Sequence, residues 1–544
     1  MTNFENMRSV LIFSSLLPFV CAFSARSWSQ PPVEFSTDVL SYNLAIELSD
    51  SSDVIHVNQE LKAVLTNHSK RLSFDLRSVD QNGKGMTIHS LKVDGQSISF
   101  KHENNLLLVS GLDRQQGDTL SIHLSFSGVP ADGLIISKNK FGDRTFFGDN
   151  WPNRAHNWFA CNDHPSDKAT ISYEVKAPWK YQVVANGDLA EKRRLSTVEN
   201  LWVYKTNYEL PTKVMVIGVA EFSVAEFGSL NAEEISVSAW VYPQNEKEGF
   251  YDMELAVSIL NWFEDKIATY PFDKLANVQS TTRYGGMENA SCIFYDENAI
   301  TGKRSMESLI AHEIAHQWFG NSASEKDWPH LWLSEGFATF LTNVYIQEKK
   351  GDKAFYEQLD KDAKRIFAFN RKFPLPVIDT ISKDLNFLLN ANAYQKGGWV
   401  LQMLRVELGD SLFWKTVGTY YNTYKYANAN SDDFVRIVED VCHCPMNYFF
   451  DQWLRQSGHP VLSVRIKKKR KNTIILLEQL QNEVFVAHLP IEIIKTNGEK
   501  EQLRIPLTKG VNGLTKEKKI VLKLPYSVKE ISLDPEHELL LEKR

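Results

Sequence analysis

The chain has 544 residues, of which 43% are hydrophobic and 24% charged, and its net charge is -6. This length predicts two to four domains, and the ordinary composition excludes a largely disordered chain. The acidic balance provides no overall attraction for nucleic acid, so we expect no nucleic-acid partner. Five cysteines in a chain of this length do not predict a disulfide scaffold.

Residues 1–25 have the pattern of a secretory signal peptide. Residues 10–25 form a short apolar run after Arg8, and Ala22 and Ser24 offer a small-x-small cleavage site. The run is shorter than the ~20 residues that a membrane-spanning helix needs. We therefore expect cleavage, a secreted or periplasmic (cell-envelope) location and no transmembrane segment in the mature chain. The alternative is an uncleaved anchor.

Residues 26–224 are predicted to form a β-rich N-terminal domain. Short alternating runs, such as those over 42–46, 120–124 and 181–184, are separated by Asn, Asp and Gly turns. Apolar residues repeat at helical spacing after Tyr251, and this change predicts a second, helix-rich domain over 225–456.

Strand-like runs return over residues 457–544, with a hairpin turn at Asn497 and Gly498, and predict a small C-terminal β-sandwich-like domain. The basic run over 467–471 is interpreted as a solvated hairpin tip, with an anion-binding patch as the alternative. Cys442, His443 and Cys444 are interpreted as structural, because one C-x-C with one His lacks the remaining ligands of a closed zinc site.

The strongest motif is His312-Glu313-Ile314-Ala315-His316, which places two imidazoles four residues apart. On a helix this spacing puts both rings on one face, where they can bind a single Zn²⁺. The surrounding apolar residues predict a helix of about fifteen residues. Ser305 can cap its start, and Gly320-Asn321 is a stop signal.

A catalytic zinc takes three protein ligands and leaves a fourth position for water or substrate. We predict that Glu335 is the third ligand, at the start of a second helix that runs to Lys350. Ser334 can cap this helix and Gly351 can end it. Packing of the two helices would then hold one Zn²⁺ per chain; the alternative is two surface histidines with no metal.

Glu313 is the carboxylate of the motif that has no ligand role. Zinc lowers the pKa of its bound water to about 7 and polarises a scissile carbonyl. Glu313 lies next to the first His ligand, so it is predicted to accept the proton of the water and pass it to the leaving amine. The motif therefore predicts peptide hydrolysis.

A second motif, Gly285-Gly286-Met287-Glu288-Asn289, precedes the zinc motif. The two motifs together resemble the zinc aminopeptidase family of aminopeptidase N and leukotriene hydrolase, whose members carry Gly-x-Met-Glu-Asn. The resemblance implies that Glu288 binds the α-ammonium of the substrate and that the glycine-rich backbone lies along the peptide as an added strand. A turn with an incidental Glu is the alternative.

Tyr394, in Tyr394-Gln395-Lys396-Gly397, matches the Tyr-x-Lys-Gly segment of the family. The resemblance implies that its hydroxyl faces the developing oxyanion, so Tyr394 and Glu313 are the predicted catalytic residues. It also implies a multidomain α+β fold with a thermolysin-like catalytic domain between the two β domains.

The implied activity is zinc-dependent removal of the N-terminal residue from peptides with a free α-amine. Two alternatives stay open: an epoxide hydrolase of the leukotriene hydrolase type, and a non-catalytic peptide-binding protein on the same fold. The large helical C-terminal domain of many relatives is expected to be absent. Gly148-Asp149-Asn150-Trp151 occupies the stretch where the family has a second amine anchor, and no residue is assigned to that role.

Overall fold

The computed structural model describes residues 35–228, 235–469, 472–508 and 518–544. The predicted signal peptide lies outside the described residues. In the described part of the chain, strands dominate both ends and helices dominate the centre. The predicted α+β organisation is therefore confirmed, while the domain boundaries at residues 224 and 456 stay predictions.

The N-terminal β region contains sixteen described strands. They are β1 Thr37–Glu47, β2 Ile55–Leu65, β3 Ser69–Asp75, β4 Gly85–Val93, β5 Gln96–Ser97, β6 Phe100–Glu103, β7 Leu106–Arg114, β8 Thr119–Val129, β9 Leu134–Lys138, β10 Arg144–Gly148, β11 Lys168–Pro178, β12 Gln182–Ala185, β13 Asp188–Arg194, β14 Glu199–Lys205, β15 Leu210–Pro211 and β16 Ile217–Ala220. The largest sheet has the order β13-β14-β11-β1-β2-β8-β4-β5, with β15 beside β11, and smaller sheets have the orders β12-β16-β10-β9 and β3-β7-β6.

The alternating sequence pattern explains the large sheet. In β1, Tyr42, Leu44 and Ile46 are buried, while Asn43 and Ala45 point to the opposite face. A strand with this period buries one face and leaves the other polar. The predicted strands over 42–46 and 120–124 are thereby confirmed within β1 and β8.

The central region combines a five-stranded sheet with the helices. Its strands are β17 Ser223–Glu226, β18 Ser236–Val241, β19 Lys274–Ser280, β20 Gly286–Met287 and β21 Cys292–Asp296, in the order β17-β18-β19-β21-β20, so β20 is an edge strand. Its helices are α1 Glu246–Met253, α2 Leu255–Lys266, α3 Glu307–Ala315, α4 Trp332–Lys350, α5 Asp352–Lys372, α6 Gly397–Leu408, α7 Asp410–Tyr424, α8 Ser431–Cys442 and α9 Asn447–Phe450. A parallel pair, β22 Ser324–Glu325 and β23 Asn428–Ala429, lies among them.

The C-terminal β region has two described sheets. Its strands are β24 Val461–Lys469, β25 Asn472–Gln479, β26 His488–Lys495, β27 Lys500–Pro506, β28 Lys519–Leu524, β29 Val528–Leu533 and β30 Glu542–Lys543, in the orders β28-β25-β24-β30 and β27-β26-β29. The predicted turn at Asn497 and Gly498 connects β26 to β27, and Gly498 adopts φ 89°. The predicted basic hairpin is also present, because Lys469 pairs with Asn472 at its end.

Two helix predictions need correction at their starts. Ser305 does not cap α3, because α3 begins at Glu307 and the hydroxyl of Ser305 bonds to that of Thr301. Ser334 does not cap α4, because the backbone is already helical at Leu331 and α4 begins at Trp332. The predicted end of α4 is confirmed at Gly351, whose φ is 83°.

Cys442 and Cys444 form a disulfide. The thiols therefore do not form a metal site, in agreement with the structural interpretation of the segment, although the sequence did not predict the bond. Cys161 and Cys292 are free and buried. No helix within the described residues is long and apolar enough to cross a membrane.

Candidate metal centre and active-site cleft

Three side chains from two helices converge on one point. His312 lies in α3, His316 directly follows it, and Glu335 lies in the first turn of α4. The Nε2 atoms of the two histidines are 3.2 Å apart. Oε2 of Glu335 lies 3.4 Å from Nε2 of His312 and 3.2 Å from Nε2 of His316. Ligand atoms at about 2.0 to 2.2 Å from a tetrahedral zinc are about 3.3 to 3.6 Å apart, so the triangle fits that ion.

The ring of His316 is held in the orientation that a ligand needs. Its Nδ1 lies 3.1 Å from the carbonyl oxygen of Phe319 and 3.1 Å from the hydroxyl of Ser334. A proton on Nδ1 that is donated to the carbonyl leaves the lone pair of Nε2 facing His312 and Glu335. Ser334, predicted as a helix cap, instead supports the metal site.

The charges of His312, His316 and Glu335 favour a cation at the point where the three side chains meet. Burial raises the pKa of Glu335, but the neighbouring His316 and His312 outweigh burial and hold it well below its usual range. Burial opposes a charge on His316, yet Glu335 beside it raises the pKa of the imidazole to about 9. Oε2 of Glu335 is buried and lies within ion-pair distance of both imidazoles, but it makes no hydrogen bond of good geometry. In the described part of the chain, no other group of three His, Cys, Asp or Glu side chains meets the geometry of a metal site.

Glu313 is packed beside the metal centre. Its side chain is buried, and burial is the main cause that raises its pKa well above the usual value. Gly286 is the reason this position is available: a Cβ at Gly286 would lie 2.6 Å from the carboxyl carbon of Glu313, which is closer than real contacts allow. The second glycine of the motif therefore makes room for the carboxylate next to the cleft.

Glu288 follows directly on β20 and is 6% exposed. Its carbonyl oxygen accepts hydrogen bonds from the side-chain amides of Gln317 at 3.0 Å and Asn321 at 2.6 Å, both in the segment after α3. Its Oε1 is buried and has no partner. Burial raises the pKa of this carboxyl group, and the positive charges of His316 and Lys213 oppose the shift. A cationic ligand would satisfy both the free oxygen and the charge.

Tyr394 lies in a π-helical turn over Asn392–Lys396. Its ring is stacked on that of His312 at a centroid distance of 6.0 Å. Helices α4 and α6 are in close contact at Gly336 and Gly397. A side chain at Gly336 would prevent this contact, because its Cβ would lie 2.9 Å from the Cα atom of Gly397. Burial, with Glu335 next, raises the pKa of the phenol well above its usual value, so its hydroxyl remains a donor.

These groups line one cavity of about 310 Å³. Nine of the ten predicted site residues contribute to its wall: Gly285, Gly286, Met287, Glu288, His312, Glu313, His316, Glu335 and Tyr394. Asn289 does not: it is fully buried behind the wall, and neither its side-chain oxygen nor its nitrogen has a partner. The individual roles of these residues stay predictions.

Four wall residues were not assigned from the sequence: Trp151, Tyr284, Leu309 and Leu389. Tyr284 had a weak signal, its position just before the glycine pair. Trp151 belongs to the stretch where the family has a second amine anchor. Asp149 of that stretch does not line the cavity and forms a buried ion pair with Arg154. Trp151 and Leu389 come from distant segments, and no local pattern marked them.

The fold and the cleft define a metallopeptidase-like protein of the His-Glu-x-x-His class, with a β-rich region in front of the metal helix. Two family models agree with this assignment. The model for the peptidase family M1 domain matches residues 251–453, and that for the peptidase M1 N-terminal domain matches residues 39–214. The chain belongs to peptidase family M1.

Named relatives are similar at a moderate level. "Probable aminopeptidase 2" of Sulfurisphaera tokodaii is 26% identical over 79% of this chain and 54% of its own length. "Aminopeptidase M1-C" of Oryza sativa subsp. japonica is 25% identical over 87% of this chain and 53% of its own. "Glutamyl aminopeptidase" of Homo sapiens is 25% identical over 61% of this chain and 36% of its own. The chain thus spans about half the length of the first two relatives.

A solved structure shares the fold. The structure of Legionella pneumophila aminopeptidase A in complex with aspartic acid superposes with a TM-score of 0.79 at 16% identity. The likeness covers 94% of this chain and 60% of that one. It therefore extends through all three regions of the molecule.

Proposed function

We propose that this protein is a zinc-dependent aminopeptidase that hydrolyses the first peptide bond of peptides with a free α-amine. The carrying observation is Glu288, a buried carboxylate with an unpartnered oxygen in the same cavity as the metal triad. A peptide ammonium supplies the missing partner and charge. An internal peptide bond or a blocked N-terminus would leave the carboxylate buried and unpaired, which is costly.

His312, His316 and Glu335 would hold the metal, which when bound polarises the scissile carbonyl and acidifies a water molecule. Glu313, buried in the wall of the same cavity, accepts the proton of the attacking water and donates it to the leaving amine. Tyr394 keeps its proton and donates a hydrogen bond to the oxygen on which negative charge develops.

The position of β20 supports binding of a peptide with its N-terminus at Glu288. Gly286 and Met287 pair with β21 on one side only, because β20 lies at the edge of its sheet. An extended peptide can add to such an edge through main-chain hydrogen bonds. Glu288, at the end of the strand, would then stop the peptide at its first residue.

The relatives' names agree with this proposal, since each is called an aminopeptidase. This chain spans only about half the length of the first two relatives, so the proposed activity depends on the cleft of this chain and not on their names. The alternatives of epoxide hydrolysis and of peptide binding without catalysis gain no specific support from the cleft.

The test is hydrolysis of leucine p-nitroanilide and its N-acetylated form by the zinc-loaded chain, with and without a chelator. We expect cleavage of the free amine alone, lost on chelation and restored by zinc. Equal cleavage of the acetylated compound would contradict the role of Glu288. An inactive protein that retains one zinc per chain would contradict the enzymatic proposal.

We also propose export of the protein through residues 1–25, on the strength of the apolar run and the small residues that follow it. N-terminal sequencing of the protein from the culture medium or cell envelope tests this. A start near residue 25 is expected, whereas an intact protein that stays in the cytoplasm would overturn it.

A further inference from the structure

The part of the cavity wall outside the catalytic groups carries no charged side chain in the described structure. It consists of the side chains of Trp151, Tyr284, Met287, Leu309 and Leu389. The other side chains that line the same cavity are three carboxylates, two imidazoles and the phenol of Tyr394. We call the five uncharged side chains the apolar side of the cavity.

The apolar side adjoins the amine anchor. Trp151, Tyr284, Met287 and Leu389 belong to one apolar cluster, whereas Leu309 packs against the main core. Met287 and the neighbouring Glu288 both line the cavity, so the cluster and the carboxylate that would bind the ammonium face the same space. In a peptide the ammonium and the first side chain are attached to the same α-carbon, so a first residue anchored at Glu288 brings its side chain to this cluster.

Two cations lie near the cavity, and each already has a partner. Arg283 is exposed; its guanidinium carbon lies 5.1 Å from the ring centroid of Tyr284, and its Nη2 donates to the hydroxyl of that residue at 3.0 Å. Lys213, whose charge reaches Glu288, is buried and pairs with Glu325 at 2.5 Å. Neither side chain lines the cavity. A carboxylate on the first residue of a peptide would thus meet no cationic side chain in the wall of the cavity.

We propose that the cluster of Trp151, Tyr284, Met287 and Leu389 selects peptides whose first residue has a large, uncharged, apolar side chain. This inference rests on the proposed aminopeptidase function. Leucine, methionine and phenylalanine bury apolar surface against the cluster, and each buried methylene favours binding by about fourfold. Aspartate, glutamate and arginine would place an unpaired charge there and are rejected. The names of the glutamyl and aspartate-bound relatives describe those proteins and not this cleft.

The first experiment compares kcat/KM of the zinc-loaded chain on p-nitroanilides of leucine, phenylalanine, alanine, glutamate and arginine. We expect kcat/KM for the leucine and phenylalanine substrates to be at least about tenfold higher than for the alanine substrate. It should be at least about 100-fold higher than for the glutamate and arginine substrates. Hydrolysis of glutamate or arginine substrates as fast as those of leucine would overturn the inference and leave the aminopeptidase proposal intact. Failure of every free-amine substrate would contradict the proposed function itself.

A substitution within the wall provides the second experiment. Leu389→Arg places a cation on the apolar side, so the ratio of kcat/KM for glutamate to that for leucine should rise by about tenfold or more. Leu385→Arg is the matched control, because Leu385 packs on the same cluster but does not line the cavity, and its ratio should stay as in the wild type. A Leu389→Arg protein that folds, binds zinc and keeps the wild-type ratio would contradict the inference.

Binding measurements decide the question without turnover. Calorimetric titration of the zinc-loaded wild-type chain with leucine and with glutamate uses ligands that share the ammonium and differ in the side chain. Tighter binding of leucine is expected. Equal or tighter binding of glutamate would overturn the assignment of the apolar cluster, whether or not the variants fold.

Discussion

Two hollows in the surface of this protein differ in whether their polar side chains are hydrogen-bonded. One, of about 540 Å³, lies on the polar face of the large N-terminal sheet. There Ser172 donates to Asn43 at 2.7 Å, and Asn43 donates to Glu60 at 3.3 Å. The other, of about 310 Å³, is the cleft of the candidate metal site, where carboxylate oxygens of Glu288 and Glu335 are buried without a hydrogen bond.

The smaller hollow is thus the one prepared for a ligand. Side chains on the sheet face satisfy one another or water, whereas those in the cleft have paid a desolvation cost that only a metal or a substrate can offset. An unpaired atom alone is not sufficient. Glu325 also has one oxygen without a hydrogen bond, but its other oxygen is paired with Lys213 and it does not line the cleft.

The largest effect is expected for Glu313→Gln, which removes the proposed proton acceptor of the cleft. Turnover should fall by about 10²- to 10⁴-fold with zinc content unchanged, because general acid-base catalysis contributes that much. Steady-state kinetics and metal analysis check it. Glu307→Gln is the control on the same helix, since Glu307 bonds to Tyr345 and Lys350 away from the cleft. A zinc-loaded Glu313→Gln enzyme with normal turnover would refute the role.

Tyr394→Phe removes a single donor while keeping the stacked ring. We expect kcat to fall by about 10²- to 10³-fold, as for the loss of one oxyanion donor, with little change in zinc content. Tyr345→Phe serves as a control, because the hydroxyl of Tyr345 bonds to Glu307 outside the cleft. Equal kinetics for the two variants would remove Tyr394 from the mechanism.

Glu288→Gln keeps the shape of the amine anchor and removes its charge. Loss of one partner from a buried charge pair costs about 2 to 5 kcal/mol, so kcat/KM for free-amine substrates should fall by at least about 30-fold. The rate on N-acetylated substrates should not fall in parallel. Parallel loss on both substrates would show that Glu288 supports the fold of the cleft and does not bind the amine.

Lys213 and Glu325 test the opposite case, a buried pair that already satisfies its charges. Lys213→Met should lower the free energy of unfolding by about 3 to 5 kcal/mol, because it leaves Glu325 buried without a cation. The double variant Lys213→Met, Glu325→Met should recover most of the loss. Denaturant titration measures both. A single variant as stable as the double would show that the pair is not coupled.

The smallest effect is expected on the sheet face. Ser172→Ala removes one partly buried hydrogen bond and should lower the free energy of unfolding by about 0.5 to 1.5 kcal/mol. The kcat/KM on leucine p-nitroanilide should stay unchanged, since this face is not part of the cleft. A large loss of activity in this variant would erase the distinction between the two hollows.

Much of the cleft was predictable because its signals are local. His312 and His316 lie one helical turn apart at the end of α3, Glu335 lies in the first turn of α4, and Glu288 lies in a short motif. Each pattern restricts the chain to a few geometries. Helix starts were less predictable. Ser305 and Ser334 both suit a cap, yet contacts with Thr301 and His316 decided their positions.

The remaining parts depend on the tertiary fold. Trp151 and Leu389 meet at the cavity only because the N-terminal region packs against the segment before α6, and neither residue stands in a pattern of its own. The disulfide between Cys442 and Cys444 likewise depends on the turn after α8, where His443 adopts φ 54°. Sequence spacing does not determine such meetings.

The most direct test of the central claim is mass spectrometry of a ten-residue peptide during digestion by the zinc-loaded chain. The peptide begins with leucine, and a second copy is N-acetylated. The account predicts loss of residues one at a time from the free N-terminus and an intact acetylated copy. Internal fragments, or equal digestion of both copies, would contradict the claim that Glu288 reads a free amine.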